Sequence, residues 1–313
     1  SGRCPAMTAL PTLKQLHYLA ALADHLSFTR AAEACFVTQS TLSAGLKELE
    51  DVLGARLVER DRQTVLMTPL GEEAARRARE ILAAAQDLAE FAAGAGRPMT
   101  GLLRLGVIPT VAPFLLPACL PLLRERYPEL RLALREDLTA GLLARLEDGR
   151  LDFALVALPY DTAGLLVEPL FEDPLQLVGR KGDPAVKAKH PALTPDVAGR
   201  LLLLEEGHCL RDHVLHACGT GALRPGQEGM AATSLLTLVQ MVESGLGAAL
   251  LPAMATASGL ARSPGLTVRA LAGPAPKRTI ALAARRSTTR QADLRALAEI
   301  VRAARRAARR AVP

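Results

Sequence analysis

The sequence predicts an α+β winged helix-turn-helix domain over residues 7–68, a single linker helix over 69–97, and an α/β domain over 98–313. Three observations carry this. Short amphipathic helices with tight connections fill Leu13 to Thr68. An Ala-, Glu- and Arg-rich helical stretch follows, opened by Thr68-Pro69. From Gly101 onward, apolar strand-like runs alternate with helical patterns. A chain of 313 residues is too long for one ordinary domain and suits two or three.

In the first segment Leu16, Leu19, Ala20 and Ala23 form one stripe. Ser27 is an N-cap before a second helix, Phe28 to Cys35. A third opens at Thr38 or Gln39, carries Leu42, Leu46, Leu49 and Leu53 on one face, and ends at Gly54. Arg60 to Thr68 reads as a two-stranded wing with Arg62, Gln63 and Thr64 at its turn. Pro69 starts the linker helix without losing a hydrogen bond. That helix runs to about Ala93 on a spine of Ile81, Leu82, Leu88 and Phe91, long enough to pair two protomers, and Gly94 to Pro98 breaks it.

In the last segment strands are expected at Leu103–Ile108, Arg131–Glu136, Phe153–Ala157, Leu201–Leu204, Ala248–Leu251 and Thr279–Ala283. Helices are expected within Thr110–Tyr127, Leu138–Asp148 and Ser234–Ser244. The alternation predicts parallel sheets, whose ligands sit beyond the carboxyl ends of strands. Ile108-Pro109-Thr110 is therefore where a site is sought.

Half of the residues are hydrophobic, yet no long apolar run is free of charge and proline, so a sizeable core and no membrane helix are expected. Ser1 to Met7 lacks the apolar core of a secretion signal, and Met7 is the expected natural start. Five cysteines are too sparse for a disulfide scaffold and suggest reduced thiols in a cytoplasmic protein. The net charge is +6, but residues 1–70 carry seven Lys/Arg against seven Asp/Glu, whereas 277–313 carry eleven against two. Basicity is thus no argument for DNA binding by the first domain. The arginine-rich tail, Ala292 to Ala311, reads as a solvated amphipathic helix or an auxiliary nucleic-acid contact.

Residues 27–60 have the spacing of two helices joined by a short turn. Ala31 and Ala32 permit close crossing, while Leu42 and Leu46 bury the third helix. Gln39, Ser40, Thr41, Ser43 and Lys47 are left outward near its N-terminus, where a recognition helix meets bases and phosphates. The same pattern would also suit the polar surface of an ordinary three-helix domain.

This segment closely resembles the N-terminal domain of LysR-type transcriptional regulators. The residues that carry the resemblance are Phe28, Ala31, Ala32, Thr38-Gln39, Ser43, Leu46, Leu49-Glu50, Leu53-Gly54, Leu57 and Arg60, followed by Thr68-Pro69-Leu70-Gly71. Ala44 departs from the common Arg. The resemblance implies binding of double-stranded promoter DNA through Arg30, Thr38, Gln39, Ser40, Thr41, Ser43, Lys47, Arg60 and Arg62, and contact with RNA polymerase. It also implies an effector domain of two Rossmann-like, periplasmic-binding-protein-like lobes. Lobe I is expected at about 101–172 plus 277–313, lobe II at about 173–276, and the assembly as a homotetrameric dimer of dimers.

Residues 201–222 hold the second constellation. Cys209 follows a strand and the Gly207-His208 turn and would open a helix. The helix terminus, His208 and Arg211 would all lower its pKa. Cys218 lies nine residues on, about 13 Å away if the chain between is helical. A disulfide needs the Cα atoms within roughly 7 Å, so forming one would unwind that helix, as a redox switch requires. Two buried structural cysteines remain an alternative. Zinc is another, since His208, Cys209, His213, His216 and Cys218 are crowded, but this is no recognised ligand spacing, and no metal or cofactor is expected. Cys35 and Cys119 read as packing residues, and Cys4 lies outside the fold.

Here the chain resembles the hydrogen-peroxide-sensing OxyR branch of the family, through Gly207–Asp212 (GHCLRD), Cys218, Ile108-Pro109-Thr110, Leu138–Asp152, Ala232–Leu235, Leu250–Pro252 and Arg278–Leu282. By that similarity Cys209 is the peroxidatic and Cys218 the resolving cysteine. Thr110, His208, Thr139 and Arg278 would hold the peroxide, and a glutaredoxin- or thioredoxin-type reductant would reset an activator of oxidative-stress defence genes. Ala231 stands where Arg is expected, and His213 and His216 are not hallmarks of the branch. A regulator answering a small metabolite between the lobes is the alternative. A thiol peroxidase is disfavoured because the reaction need occur only once per activation, so no enzyme is expected.

Overall fold

The structure, a computed structural model, describes residues 10–60, 65–93, 98–219, 231–273 and 275–310. It divides into two compact units, residues 1–96 with 147–150, and residues 97–146 with 151–313. Among the described residues no helix is long and apolar enough to cross a membrane.

The first unit begins with α1 (Leu13–His25), α2 (Phe28–Ala34) and α3 (Gln39–Leu53). Each start is set by a side chain that satisfies an orphan N–H: Thr12 with Gln15 in a capping box, Ser27 for Arg30, and Thr38 for Thr41. The stops are left-handed, at Leu26 and at Gly54 with φ 65°. Leu16, Leu19, Leu22, Phe28, Ala31, Leu42, Leu46 and Leu49 make the core.

A wing follows, β1 (Val58–Arg60) antiparallel to β2 (Val65–Met67). It starts two residues earlier than the sequence pattern suggests. The reason is Glu50, whose Oε1 accepts from Leu57 N at 2.7 Å and Val58 N at 3.2 Å, fixing the first strand against α3. The expected turn residues Arg62, Gln63 and Thr64 lie outside the described residues. In α4 (Pro69–Ala93) the Thr68 hydroxyl accepts from Gly71 N at 2.9 Å and donates to Arg56 O at 3.0 Å, tying helix to wing. Ala75 and Ala78 bury against the core, while Ile81 and Leu88 are exposed.

The second unit runs β3 (Gly101–Val107), α5 (Ala112–Arg126), β4 (Leu130–Glu136), α6 (Thr139–Glu147), β5 (Phe153–Leu158) and β6 (Leu165–Arg180). There follow α7 (Pro195–Ala198), β7 (Leu203–Leu204), α8 (Cys209–Cys218), β8 (Ala231–Ala232), α9 (Leu235–Glu243), β9 (Ala249–Pro252) and α10 (Ala253–Ala257). The chain ends with β10 (Leu266–Ala270), β11 (Lys277–Arg285) and α11 (Gln291–Arg310). The main sheet has the order β10-β6-β11-β5-β3-β4, with β9 also on β6.

This sheet is mixed rather than parallel as expected. Only β3 pairs in parallel, with β4 and β5, whereas β6 and β11 run antiparallel to each other and to their other neighbours. The chain crosses between two lobes along β6 and returns along β11, so these strands lack the helical crossovers that would make them parallel. The sequence pattern missed β6 because Pro169 and Pro174 interrupt it. Both sit where pairing tolerates a missing N–H: Pro169 at a register shift beside Ile280/Ala281, Pro174 where β6 exchanges β11 for β9. β10 also went unread, and the expected strand at Leu201 shrinks to a single bridge with Ala248 before β7.

Two cores result. One gathers Leu103, Leu105, Phe153, Leu155, Ile280, Leu282 and, from α11, Leu297 and Ile300. The other gathers Leu175, Leu177, Leu201, Leu235, Leu238, Val239, Leu250 and Leu251.

Gly71 tests the wing-to-helix junction. A Cβ there would lie 2.0 Å from Leu57 O, a backbone atom that cannot yield cheaply. Gly71→Ala is expected to cost about 1–3 kcal/mol of stability in the first unit, seen as a lowered thermal midpoint. An unchanged midpoint would mean the junction is looser than described.

Candidate functional site

Two places gather chemistry. On α3, Gln39, Ser40, Thr41 and Lys47 are exposed and Ser43 is half-buried; Arg30 is exposed on α2. The Thr38 hydroxyl is engaged as the helix cap, within 2.9 Å of Ser40 Oγ and 2.8 Å of Thr41 Oγ1. Thr29 Oγ1 donates to Gln39 Oε1 at 3.5 Å. A short row of hydroxyl and amide groups thus surrounds the positive end of the α3 dipole. Ser40, Ser43 and Lys47 line one groove with Arg56, an exposed cation the sequence reading left out. Nothing in its periodicity flags Arg56; it reaches the groove only because Glu50 folds the start of the wing back onto α3. The side chain of Arg60 and all of Arg62 lie outside what is described.

The second place lies where three segments meet. Ile108-Pro109-Thr110 leaves β3, Leu138-Thr139 opens α6, and Gly207-His208-Cys209 opens α8. These segments pack closely around one small space. Cys209 is 3% exposed and packs in the first lobe's core, while the next apolar residues of its helix, Leu210 and Val214, pack in the second.

Beneath lies Arg278, fully buried. Its Nη1 donates to Thr110 Oγ1 at 2.7 Å and its Nη2 to Thr110 O at 3.0 Å. Nε and Nη2 both donate to Asp173 Oδ2, at 3.2 and 3.1 Å. The buried Thr139 hydroxyl has no hydrogen-bond partner at ordinary geometry and acts on the Cys209 sulfur.

These surroundings set the thiol differently from the sequence expectation. Burial pushes Cys209 above the ordinary thiol range, against the pull of the Arg278 charge and the Thr139 hydroxyl; Asp212 adds to the rise. The two expected cations do not supply the pull. Arg211 turns its guanidinium to Leu204 O at 3.2 Å. His208 is itself held below the usual imidazole range by burial, with Glu205 and the Thr233 backbone working the other way. The cation that acts on Cys209 is therefore Arg278, 69 residues further on, and its place depends on Asp173, a residue of the unread β6.

Cys218 ends the same helix, half-buried, its thiol raised by burial. His213 is buried and its Nε2 meets Pro159 O at 3.0 Å; His216 is exposed. Among the described residues no group of three or more His, Cys, Asp or Glu is placed to hold a metal ion. Cys119 lies in the first lobe's core with its thiol pushed up to about 12 by burial, and Cys35 packs partly buried against the first unit's core.

Comparison with known proteins places these two sites in context. Residues 13–72 match the bacterial regulatory helix-turn-helix protein, LysR family, and residues 96–306 match the LysR substrate binding domain. The HTH-type transcriptional regulator EstR of Acinetobacter baylyi is 46% identical over 297 residues, covering 95% of this chain and 98% of that protein. The hydrogen peroxide-inducible genes activator of Pectobacterium carotovorum is 39% identical over 291 residues, covering 93% and 95%. Among solved structures, a full-length OxyR variant of Pseudomonas aeruginosa superposes with TM-score 0.77 at 37% identity, covering 94% of this chain and 95% of its own. The chain belongs to the LysR-type transcriptional regulators, proteins that bind promoter DNA rather than catalyse turnover.

Proposed function

We propose that this regulator answers hydrogen peroxide through oxidation of Cys209, followed by a Cys209–Cys218 disulfide. The observation that carries the reading is the buried Cys209 thiol set against the Thr139 hydroxyl and the Arg278 guanidinium, where three segments meet. The name of the Pectobacterium relative and the likeness to OxyR support it.

In this reading the Cys209 thiolate attacks one peroxide oxygen and the O–O bond breaks. Hydroxide leaves with the proton the thiol gave up, as water, and sulfur is oxidised to sulfenic acid. Thr110, Thr139, His208 and Arg278 hold the peroxide and steady the departing oxygen. The Cys218 thiol then attacks the sulfenic sulfur, forming S–S and expelling a second water. Two thiols and one peroxide give a disulfide and two waters.

Nine residues of α8 put the two Cα atoms about 13 Å apart, too far for that bond. Oxidation must therefore unwind the helix, and a change at one sulfur reaches both lobes. A glutaredoxin- or thioredoxin-type dithiol returns the two electrons. The DNA face on α3, with Arg30, Thr38, Arg60 and Arg62, belongs to the same reading, as do a cytoplasmic dimer of dimers and contact with RNA polymerase.

A second reading is a small metabolite bound between the lobes with the cysteines incidental; the 46% identity to EstR, a regulator whose name specifies no peroxide, leaves room for it. The two separate on the thiol count. Micromolar peroxide alone, without any metabolite, should remove two thiols per chain, and a constant count would favour the metabolite.

Cys209→Ser should abolish the transcriptional response to peroxide while leaving operator affinity intact; a variant that still responds would sink the sensor assignment. Cys218→Ser should stop at sulfenic acid, visible as a mass increase of one oxygen. Hydrogen exchange over 205–219 should rise in the oxidised wild type and stay near the reduced level in that variant. On the DNA face, Gln39→Ala and Ser43→Ala should alter base preference. Lys47→Ala should weaken all sequences alike and flatten the salt dependence by about one unit of slope. Operator titrations identical to wild type for all three would move the interface elsewhere.

A further inference from the structure

Arg278 sits in β11 directly across from Asp173 in β6, and both side chains are fully buried. A guanidinium has five N–H groups in a fixed fork. Four hydrogen bonds to oxygen engage this one, two to Thr110 and two to Asp173 Oδ2, and leave one Nη1 hydrogen uncommitted. The other Asp173 oxygen, Oδ1, accepts from Met254 N at 2.9 Å and faces Arg305 Nη2 at 3.8 Å. Arg305, from α11, lies over the Phe171 ring at 5.3 Å. One carboxylate thus sits between two arginines and fixes the orientation of the one that acts on Cys209.

We infer that Asp173 is a positioning residue that aims Arg278 and, by neutralising part of its charge, limits how strongly Arg278 activates Cys209. The inference rests on the peroxide reading for its biological sense, though not for its test. Two arms follow from the geometry. Asn at 173 keeps an acceptor oxygen for Nε and Nη2, and Thr110 supplies the other two anchors, so Arg278 stays aimed while its charge goes uncompensated. The sulfur then feels a stronger positive field. Conversely, removing Arg305 takes away the second arginine beside Asp173, so more of the carboxylate's charge offsets Arg278 and the field at sulfur weakens. The other groups acting on the thiol, Asp212 on α8, Thr139 on α6 and Tyr160 beyond β5, are unaltered in both variants, while His213 on α8 feels the same Arg278 charge.

The experiment uses the reduced full-length chain and iodoacetamide, an uncharged thiol reagent. Alkylation of Cys209 is followed by peptide-resolved mass spectrometry from about pH 7 to pH 11, a span that reaches above an ordinary thiol. In Asp173→Asn the midpoint should move to lower pH by about half a unit or more, roughly threefold faster alkylation at a fixed pH below it. In Arg305→Gln it should move the opposite way, and Asp173→Glu should restore the wild-type profile. Loss of packing alone would displace both variants in one direction. A common direction, or no shift in Arg305→Gln should Asp173→Asn fail to fold, overturns the inference. A protein that shows these opposite shifts yet ignores peroxide would retain the role of Asp173 and lose the peroxide reading.

Discussion

The effector domain is arranged around one buried ion pair, Arg278 with Asp173. Either charge left there without its partner would cost several kcal/mol. Their cross-strand register is therefore constrained, and with it the pairing of β6 and β11, the two strands that join the lobes. Thr110 is drawn in by two of Arg278's hydrogen bonds, and the α10 start by Met254 N on Asp173. Cys209 then packs over a floor that is already charged and already rigid.

How far the sequence reveals this depends on how local each device is. The helix-turn-helix was legible to within a residue or two because its signals are local. Ser27 and Thr38 cap helices from one position away, and Leu42, Leu46 and Leu49 share one face. The cysteines were legible as a pair at two ends of one helix. Of what surrounds them, Thr110, His208, Thr139 and Arg278 were legible only through the family resemblance, not through local pattern. Thiol acidity was assigned to the helix terminus, His208 and Arg211, all neighbours in sequence; the Leu210 backbone does pull the thiol down, but the cation that acts on the sulfur lies on β11. Asp173 was invisible for a plainer reason: two prolines hide the strand that carries it. Residues 220–230, beyond Cys218, lie outside the described residues.

The helix α8 is short, but its attachments are unusual. Its first residue belongs to one core and its next apolar positions to the other, with His213 bonded back to Pro159. A change in the covalent state of its first residue is thus applied at a place where both lobes are in contact with the same ten-residue element. Little displacement is needed for each lobe to lose packing there.

The long strand β6 carries a consequence of another kind. Nine of its first ten residues pair with β11 in the first lobe's sheet, Leu170 being passed over at the register shift, and its last six pair with β9 and β10 in the second. Two lobes that share an unbroken strand cannot melt one at a time, because ending the order of either half frays the backbone ladder of the other. The effector domain should thus behave in denaturant as one cooperative unit despite its two cores, with a single transition and a slope set by the surface of both.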